Sequence, residues 1–142
     1  MPSAHQTEPL TEALTTLREQ VMGVNETVIS TVDGLLVAAD TGAVHPESIA
    51  ALSAATHSLG QRLAHETGGG ALREVATLSA GRHIIVLAIG ERALLTVLGD
   101  DGLDLAGSRH KIHSTVEQLA KIFEADAPDN EGTKQDARGW PA

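Results

Sequence analysis

The chain has 142 residues, an apolar fraction of 42%, a formal net charge of −9 and no cysteine. Its length suits one domain with one core, and the absence of cysteine excludes disulfides, thiolate metal ligands and a cysteine nucleophile. The negative charge and the near absence of aromatic side chains argue against nucleic acid as a partner, because proteins that bind nucleic acid need a basic surface or aromatic side chains on which bases stack.

The first periodic segment predicts a helix that ends at Gly23, with Thr7 as its N-cap. Its apolar residues fall on one helical face: Leu10, Ala13, Leu14, Leu17 and Val21. The two runs that follow, 27–32 and 35–39, are β-branched or apolar and are separated by Asp33-Gly34, a pair typical of a type I′ turn. They predict a β-hairpin.

A second helix is predicted to begin at His45-Pro46-Glu47, with Pro46 in its first turn, and to end near the glycine triplet 68–70. We expect its helically spaced face of larger residues to pack on the sheet: Ile49, Leu52, Thr56, Leu59 and Leu63. The opposite stripe is small at its middle and consists of Glu47, Ala50, Ala54, Ser58, Gln61 and His65. Small side chains allow a second helix to approach closely, which favours an interface. The alternative is that alanine is simply the best helix former.

Three strand-like runs follow, at 72–79, 83–89 and 92–98. The last two are almost continuously apolar, which is typical of strands covered on both faces. The first mixes charged and apolar side chains and is predicted to be an edge strand, so that its Arg73, Val75 and Thr77 join the candidate interface.

The last periodic segment predicts a helix whose apolar face is formed by Leu105, Ile112, Val116, Leu119, Ile122 and Phe123. The element order is α-β-β-α-β-β-β-α, which predicts an α/β fold of the α+β type, with a five-stranded antiparallel sheet and helices on both faces. We place a flexible N-terminus at 1–8, the domain at 9–125 and a polar, solvated tail at 126–142.

No catalytic constellation is visible, and we predict no cofactor and no metal site. The glycine triplet closes a helix and enters a strand, which is the wrong context for a phosphate loop. His110, His113 and Glu117 share one stripe of the last helix, but a solvated face explains them without a metal ion. We interpret His57 and His65 as surface histidines, and Asp100, Asp101 and Asp104 as turn and cap residues.

The N-terminus has no signal-peptide pattern, and the longest apolar run, 84–89, is far shorter than the ~20 residues that span a bilayer. We therefore expect a cytoplasmic protein without membrane insertion.

Several short motifs occur in a characteristic order: Val21-Met22-Gly23-Val24, Thr27-Val28-Ile29-Ser30, Asp33-Gly34-Leu35, Glu47-Ser48-Ile49-Ala50-Ala51-Leu52 and Leu94-Leu95-Thr96-Val97-Leu98. In this order they resemble the roadblock/dynein light chain family over residues 10–123. Met22 and Leu36 depart from the pattern, since many bacterial members have proline at these two positions. Both departures lie at element junctions.

The resemblance implies a roadblock/profilin-like fold and a homodimer in which the third strands pair edge to edge into one ten-stranded sheet, with the two second helices side by side. It also implies a small Ras-like GTPase as partner, often encoded beside a histidine-kinase-like sensor, and no catalytic residues. The rival hypothesis is a small-ligand sensory domain. A ligand pocket usually recruits aromatic groups, and this chain has only Phe123 and Trp140.

Overall fold

Five antiparallel strands form one sheet in the computed structural model of this protein, which describes residues 4–126 and the side chains of residues 7–125. Along the chain the elements are α1 (Ala4–Gln20), β1 (Val24–Thr31), β2 (Leu36–Asp40), α2 (Pro46–Glu66), β3 (Glu74–Leu78), β4 (His83–Ile89), β5 (Ala93–Gly99) and α3 (Leu105–Asp126). The predicted element order and fold class are confirmed.

The strands lie in the order β2-β1-β5-β4-β3, so that β5 is central and β2 and β3 are the edges. Every residue of β5 is buried, and β4 pairs with it from His83↔Gly99 to Ile89↔Ala93. The two continuous apolar runs are therefore interior strands, and the run of mixed polarity is an edge strand. Both predictions are confirmed.

Helices cover both faces of the sheet. Successive strand residues point to opposite faces, and one face packs against α1 and α3, where the main hydrophobic core lies. The strands supply Val24, Ile29, Ala38, Ile85, Leu87, Ile89, Ala93, Leu95 and Val97 to this core, and the helices and loops supply Leu10, Ala13, Leu14, Leu17, Val21, Leu103, Ile112 and Leu119. The other face is covered by α2, which contacts all five strands.

Several element boundaries differ from the prediction: β1 begins at Val24 rather than at residue 27, and β3 covers Glu74–Leu78 rather than 72–79. α1 begins at Ala4 rather than directly after Thr7, so Thr7 lies inside the helix and is not its N-cap. The connection between β1 and β2 covers residues 32–35 rather than Asp33-Gly34 alone, and it is closed by a hydrogen bond from the Thr31 amide to the Leu35 carbonyl. Gly34 supplies the positive φ of +97° at this turn.

Two of the three acidic residues before α3, Asp100 and Asp104, act as predicted. The Gly102 amide donates to the Asp100 carboxylate at 2.8 Å, and the Gly107 amide donates to the Asp104 carboxylate at 3.1 Å. Asp104 therefore caps α3, because its side chain satisfies an amide of the first helical turn that has no partner within the helix.

The predicted tail begins at residue 126, so nearly all of it lies outside the described residues, as do residues 1–3. Within residues 4–126, no helix is both long enough and apolar enough to cross a membrane.

Candidate protein–protein interface

α2 packs on the sheet through three small residues and one histidine. Its buried residues are Ala50, Ser53, His57 and Gly60, which recur three or four positions apart and share one face. The hydroxyl groups of Ser53 and of Thr96 on β5 form a hydrogen bond of 2.6 Å. A Cβ atom on Gly60 would lie 2.6 Å from Cγ2 of Val75. The lack of a side chain at residue 60 is what allows α2 to approach β3 this closely.

The prediction that the larger face of α2 packs on the sheet is wrong. Leu52, Leu59 and Leu63 are 64%, 66% and 66% exposed. Ile49 and Thr56, at the border of this face, are half-buried. We call Leu52, Leu59 and Leu63 the leucine ridge.

The sheet itself supplies the apolar volume beneath α2. Val28, Val86, Leu94 and Leu98 are buried, and they alternate along their strands with the residues of the main core. Since large side chains already fill this face of the sheet, the helix contributes small ones, and its leucines are left outside. Ser53 and Gly60 in the middle of a long helix were the sequence signal for this arrangement, because both are poorer helix formers than alanine.

The residues of the predicted small-residue interface differ in exposure in the structure. Ala50 is fully buried against the sheet, so it cannot contact a second molecule, and its prediction as an interface residue is wrong. Ala54 is half-buried beside the β1–β2 turn, where a Cβ on Gly34 would lie 3.6 Å from the Ala54 Cβ. The other four residues of the stripe are exposed, and their contact with a partner remains a prediction: Glu47, Ser58, Gln61 and His65.

β3 is an edge strand that pairs only with β4 among the described strands. Arg73, just before it, is exposed, as is Thr77, whereas Val75 is half-buried against α2. Leu78, at the end of β3, is 65% exposed. An edge strand leaves a row of backbone N–H and C=O groups free to pair with another strand.

The two faces of β3 are held by different helices. On one face Val75 lies against Gly60 of α2. On the other, the Glu74 carboxylate contacts the Arg109 guanidinium of α3 and lies 3.4 Å from Nε2 of His113. β3 is thus held in place by both helical layers, although one edge of it has no partner among the described strands. The turn of α2 that carries Leu59 and Leu63 lies beside this strand.

The histidines divide differently from the prediction. His65 is exposed, as predicted, whereas His57 is only 7% exposed beneath α2, so its prediction as a surface residue is wrong. Burial lowers the pKa of His57, because desolvation disfavours the charged imidazolium. On α3, His110 and Glu117 are exposed and His113 is half-buried beside Glu74. Within the described residues, no group of three or more His, Cys, Asp or Glu could hold a metal ion.

The glycine triplet connects α2 to β3, as predicted. The helix ends at Glu66, and the Gly69 amide donates to the Ala64 carbonyl at 2.7 Å. Gly68 and Gly70 have φ angles of +70° and +81°. Glycine adopts this left-handed conformation without the steric penalty of other residues.

An open sheet edge beside the exposed leucine ridge is typical of a domain that binds other proteins. A sequence model of the Roadblock/LC7 domain matches residues 10–99. The chain therefore belongs to the Roadblock/LC7 domain family. None of the curated proteins compared with it matches.

Solved structures agree in fold. A Roadblock/LC7 domain from Streptomyces avermitilis is similar with a TM-score of 0.74 and 22% identity, over 80% of this chain and 97% of that one. The gliding protein MglB from Thermus thermophilus is similar with a TM-score of 0.76 and 22% identity, over 88% and 95% of the two chains. Profilin IB from Acanthamoeba castellanii has a TM-score of 0.58 and 13% identity, over 79% and 97%. At these identities the likeness shows the fold alone.

Proposed function

We propose that this protein is a non-catalytic, cytoplasmic homodimer that regulates a small Ras-like GTPase. The observation that carries the proposal is the leucine ridge next to the free edge of β3. Family membership supports the regulatory role, and the structural likeness to MglB supports a bacterial signalling context. A histidine-kinase-like sensor is the further partner that we propose.

Burial of the exposed leucines would supply a free energy close to that needed for self-association. Burying the six ridge leucines of two copies contributes roughly 6–12 kcal/mol, at about 1–2 kcal/mol for each two-thirds-exposed side chain. A micromolar dimer requires about 8 kcal/mol net, and association itself costs at least about 4 kcal/mol. The ridge alone is therefore marginal, and a second contact is needed.

Pairing of two β3 strands supplies that second contact. In a two-fold symmetric dimer the same surface serves both copies, and two β3 edges can pair antiparallel into a ten-stranded sheet. Such pairing satisfies the backbone groups that the free edge leaves open. Arg73 and Thr77 would then lie at the junction of the two sheets.

The GTPase would bind a surface that exists only in the dimer. A regulator without catalytic residues acts by binding one nucleotide state of its partner better than the other, since only differential affinity shifts an equilibrium.

In the described part of the chain the one phenylalanine, Phe123, packs on the main core. It is therefore not available to line a ligand pocket, which argues against the rival small-ligand sensory domain.

Calorimetry with purified Ras-like GTPases from the same genome tests the proposal. Each is loaded with GDP or with a non-hydrolysable GTP analogue and titrated with the dimer. We expect one GTPase to bind with at least tenfold different affinity in its two states, and phosphate release by that GTPase to change when the dimer is added. Equal affinities in both states, or no binding by any of them, would contradict the regulatory role.

A further inference from the structure

Glu26 is a buried carboxylate near the start of strand β1. It is 6% exposed. Its Oε1 atom accepts three hydrogen bonds from consecutive backbone amides: Gly42 at 2.9 Å, Ala43 at 3.0 Å and Val44 at 3.1 Å. Its Oε2 atom lies 3.6 Å from Nη1 of Arg82. A buried carboxylate is tolerated only when it is paired and hydrogen-bonded, and both conditions hold here.

The carboxylate is held in its charged form. Burial alone would raise the pKa of Glu26, but the three amide donors and the Arg82 guanidinium outweigh it, and the pKa is lowered. Hydrogen bonds to a charged acceptor are stronger than neutral ones. Nη1 of Arg82 is buried and makes no hydrogen bond within the described residues, so Glu26 is its compensating charge.

The groups around Glu26 belong to two separate parts of the chain. Residues 42–44 lie in the loop that leads directly into α2 at Pro46. His45, at the N-cap of α2, makes no capping hydrogen bond with its side chain among the described residues. The start of α2 is therefore fixed from outside the helix. Arg82 lies in the connection between β3 and β4, where its carbonyl accepts a hydrogen bond from the Ser79 amide at 2.9 Å.

We propose that Glu26 is the positioning residue of the dimer interface: its charged carboxylate fixes the start of α2 and the β3–β4 connection in the relative placement that lets both meet a second copy. The inference rests on the proposed homodimer, whose two contact elements are α2 and β3. Charge is the essential property, because a neutral amide of the same shape cannot accept three hydrogen bonds and balance a guanidinium with comparable strength.

The test compares three variants by sedimentation equilibrium. Glu26→Gln removes the charge, Arg82→Gln removes its distant partner, and Glu117→Gln removes an exposed carboxylate of α3 as the control. We expect Glu26→Gln to raise the dimer dissociation constant at least tenfold, Arg82→Gln to raise it severalfold and Glu117→Gln to leave it unchanged. The double variant Glu26→Gln/Arg82→Gln should dimerise no more weakly than Glu26→Gln alone, because Arg82 acts through Glu26.

Amide hydrogen exchange separates positioning from general stability. In Glu26→Gln, exchange at residues 42–44 should accelerate at least tenfold, while the β5 amides keep their protection. If Glu26→Gln does not fold, Arg82→Gln decides the matter, since it leaves the three amide donors in place. If the wild type is a dimer and a folded Glu26→Gln has the same dissociation constant, this inference alone is overturned. If Glu26→Gln does not fold, an unchanged dissociation constant of Arg82→Gln overturns it in the same way. A monomeric wild type would overturn the proposed dimer together with it.

Discussion

Gly23 lies where the end of α1 meets the loop before α3. Its φ is +91°, and a Cβ atom there would lie 2.5 Å from the Leu103 nitrogen and 2.6 Å from the Leu103 Cα. We expect Gly23→Ala to lower the free energy of unfolding by roughly 2–5 kcal/mol, as the sum of left-handed strain of about 1–2 kcal/mol and overpacking of about 1–3 kcal/mol. Urea denaturation measures the change.

Gly90→Ala is the matched control for this substitution. Gly90 also has a positive φ, of +64°, but a Cβ there would meet no described atom within 4 Å. Its cost should therefore be limited to the strain of about 1–2 kcal/mol. Equal losses in the two variants would show that the close approach of Gly23 to Leu103 is unimportant.

His57 should make stability depend on pH. Burial lowers its folded-state pKa below the ordinary value of 6.5, so between the two values the unfolded chain binds more protons than the folded one. The free energy of unfolding therefore rises with pH through this window. The contribution is complete above about pH 6.5 and is lost as the pH falls towards the folded-state pKa.

Urea denaturation of His57→Gln at several pH values between about 7.5 and 5.5 tests this expectation, since the window lies around the ordinary histidine pKa. The variant should have a flatter pH profile than the wild type. His65→Gln, which changes an exposed histidine of the same helix, should keep the wild-type slope. A wild-type slope in His57→Gln would mean that other groups carry the dependence.

The elements were predictable because their signals are local. Helical periodicity, the proline at the start of α2 and the continuous apolar runs of β4 and β5 depend only on neighbouring residues. The orientation of α2 was not predictable in this way. In the sequence of α2 the leucines form the most apolar face of the helix. They remain exposed because Val28, Leu94 and Leu98 already fill the face of the sheet beneath α2. Glu26 was missed because its donors are backbone amides of a distant loop, which no side-chain pattern reveals.

The corrected orientation of α2 changes the expected effect of substituting Ala54. Ala54 lies beside the Gly34 turn of its own chain, so Ala54→Glu should strain the β1–β2 connection and cost about 1–3 kcal/mol of unfolding free energy. Ala106→Glu, at an exposed position of α3, should change it by less than about 0.5 kcal/mol. Thermal denaturation compares the two variants. Equal stability would place Ala54 in an open environment, contrary to the structure.

The whole molecule should neither bind nor hydrolyse nucleotides by itself. Its glycine-rich segment closes a helix rather than opening one, so its backbone amides do not form a phosphate cradle at a helix N-terminus. We expect calorimetry with GTP and with ATP to show no saturable binding. A dissociation constant tighter than about 100 μM, which is roughly 5–6 kcal/mol, would contradict the non-catalytic role.

The central claim is that two copies join through the leucine ridge and β3. The most direct measurement is sedimentation equilibrium of the double variant Leu59→Glu/Leu63→Glu beside the wild type and Glu117→Gln. Burying these carboxylates against a second copy should cost several kcal/mol, which is enough to dissociate a micromolar dimer held by about 8 kcal/mol. We expect wild type and control at twice the chain mass, and the double variant as a folded monomer with unchanged far-UV circular dichroism. A double variant that remains dimeric would contradict the account.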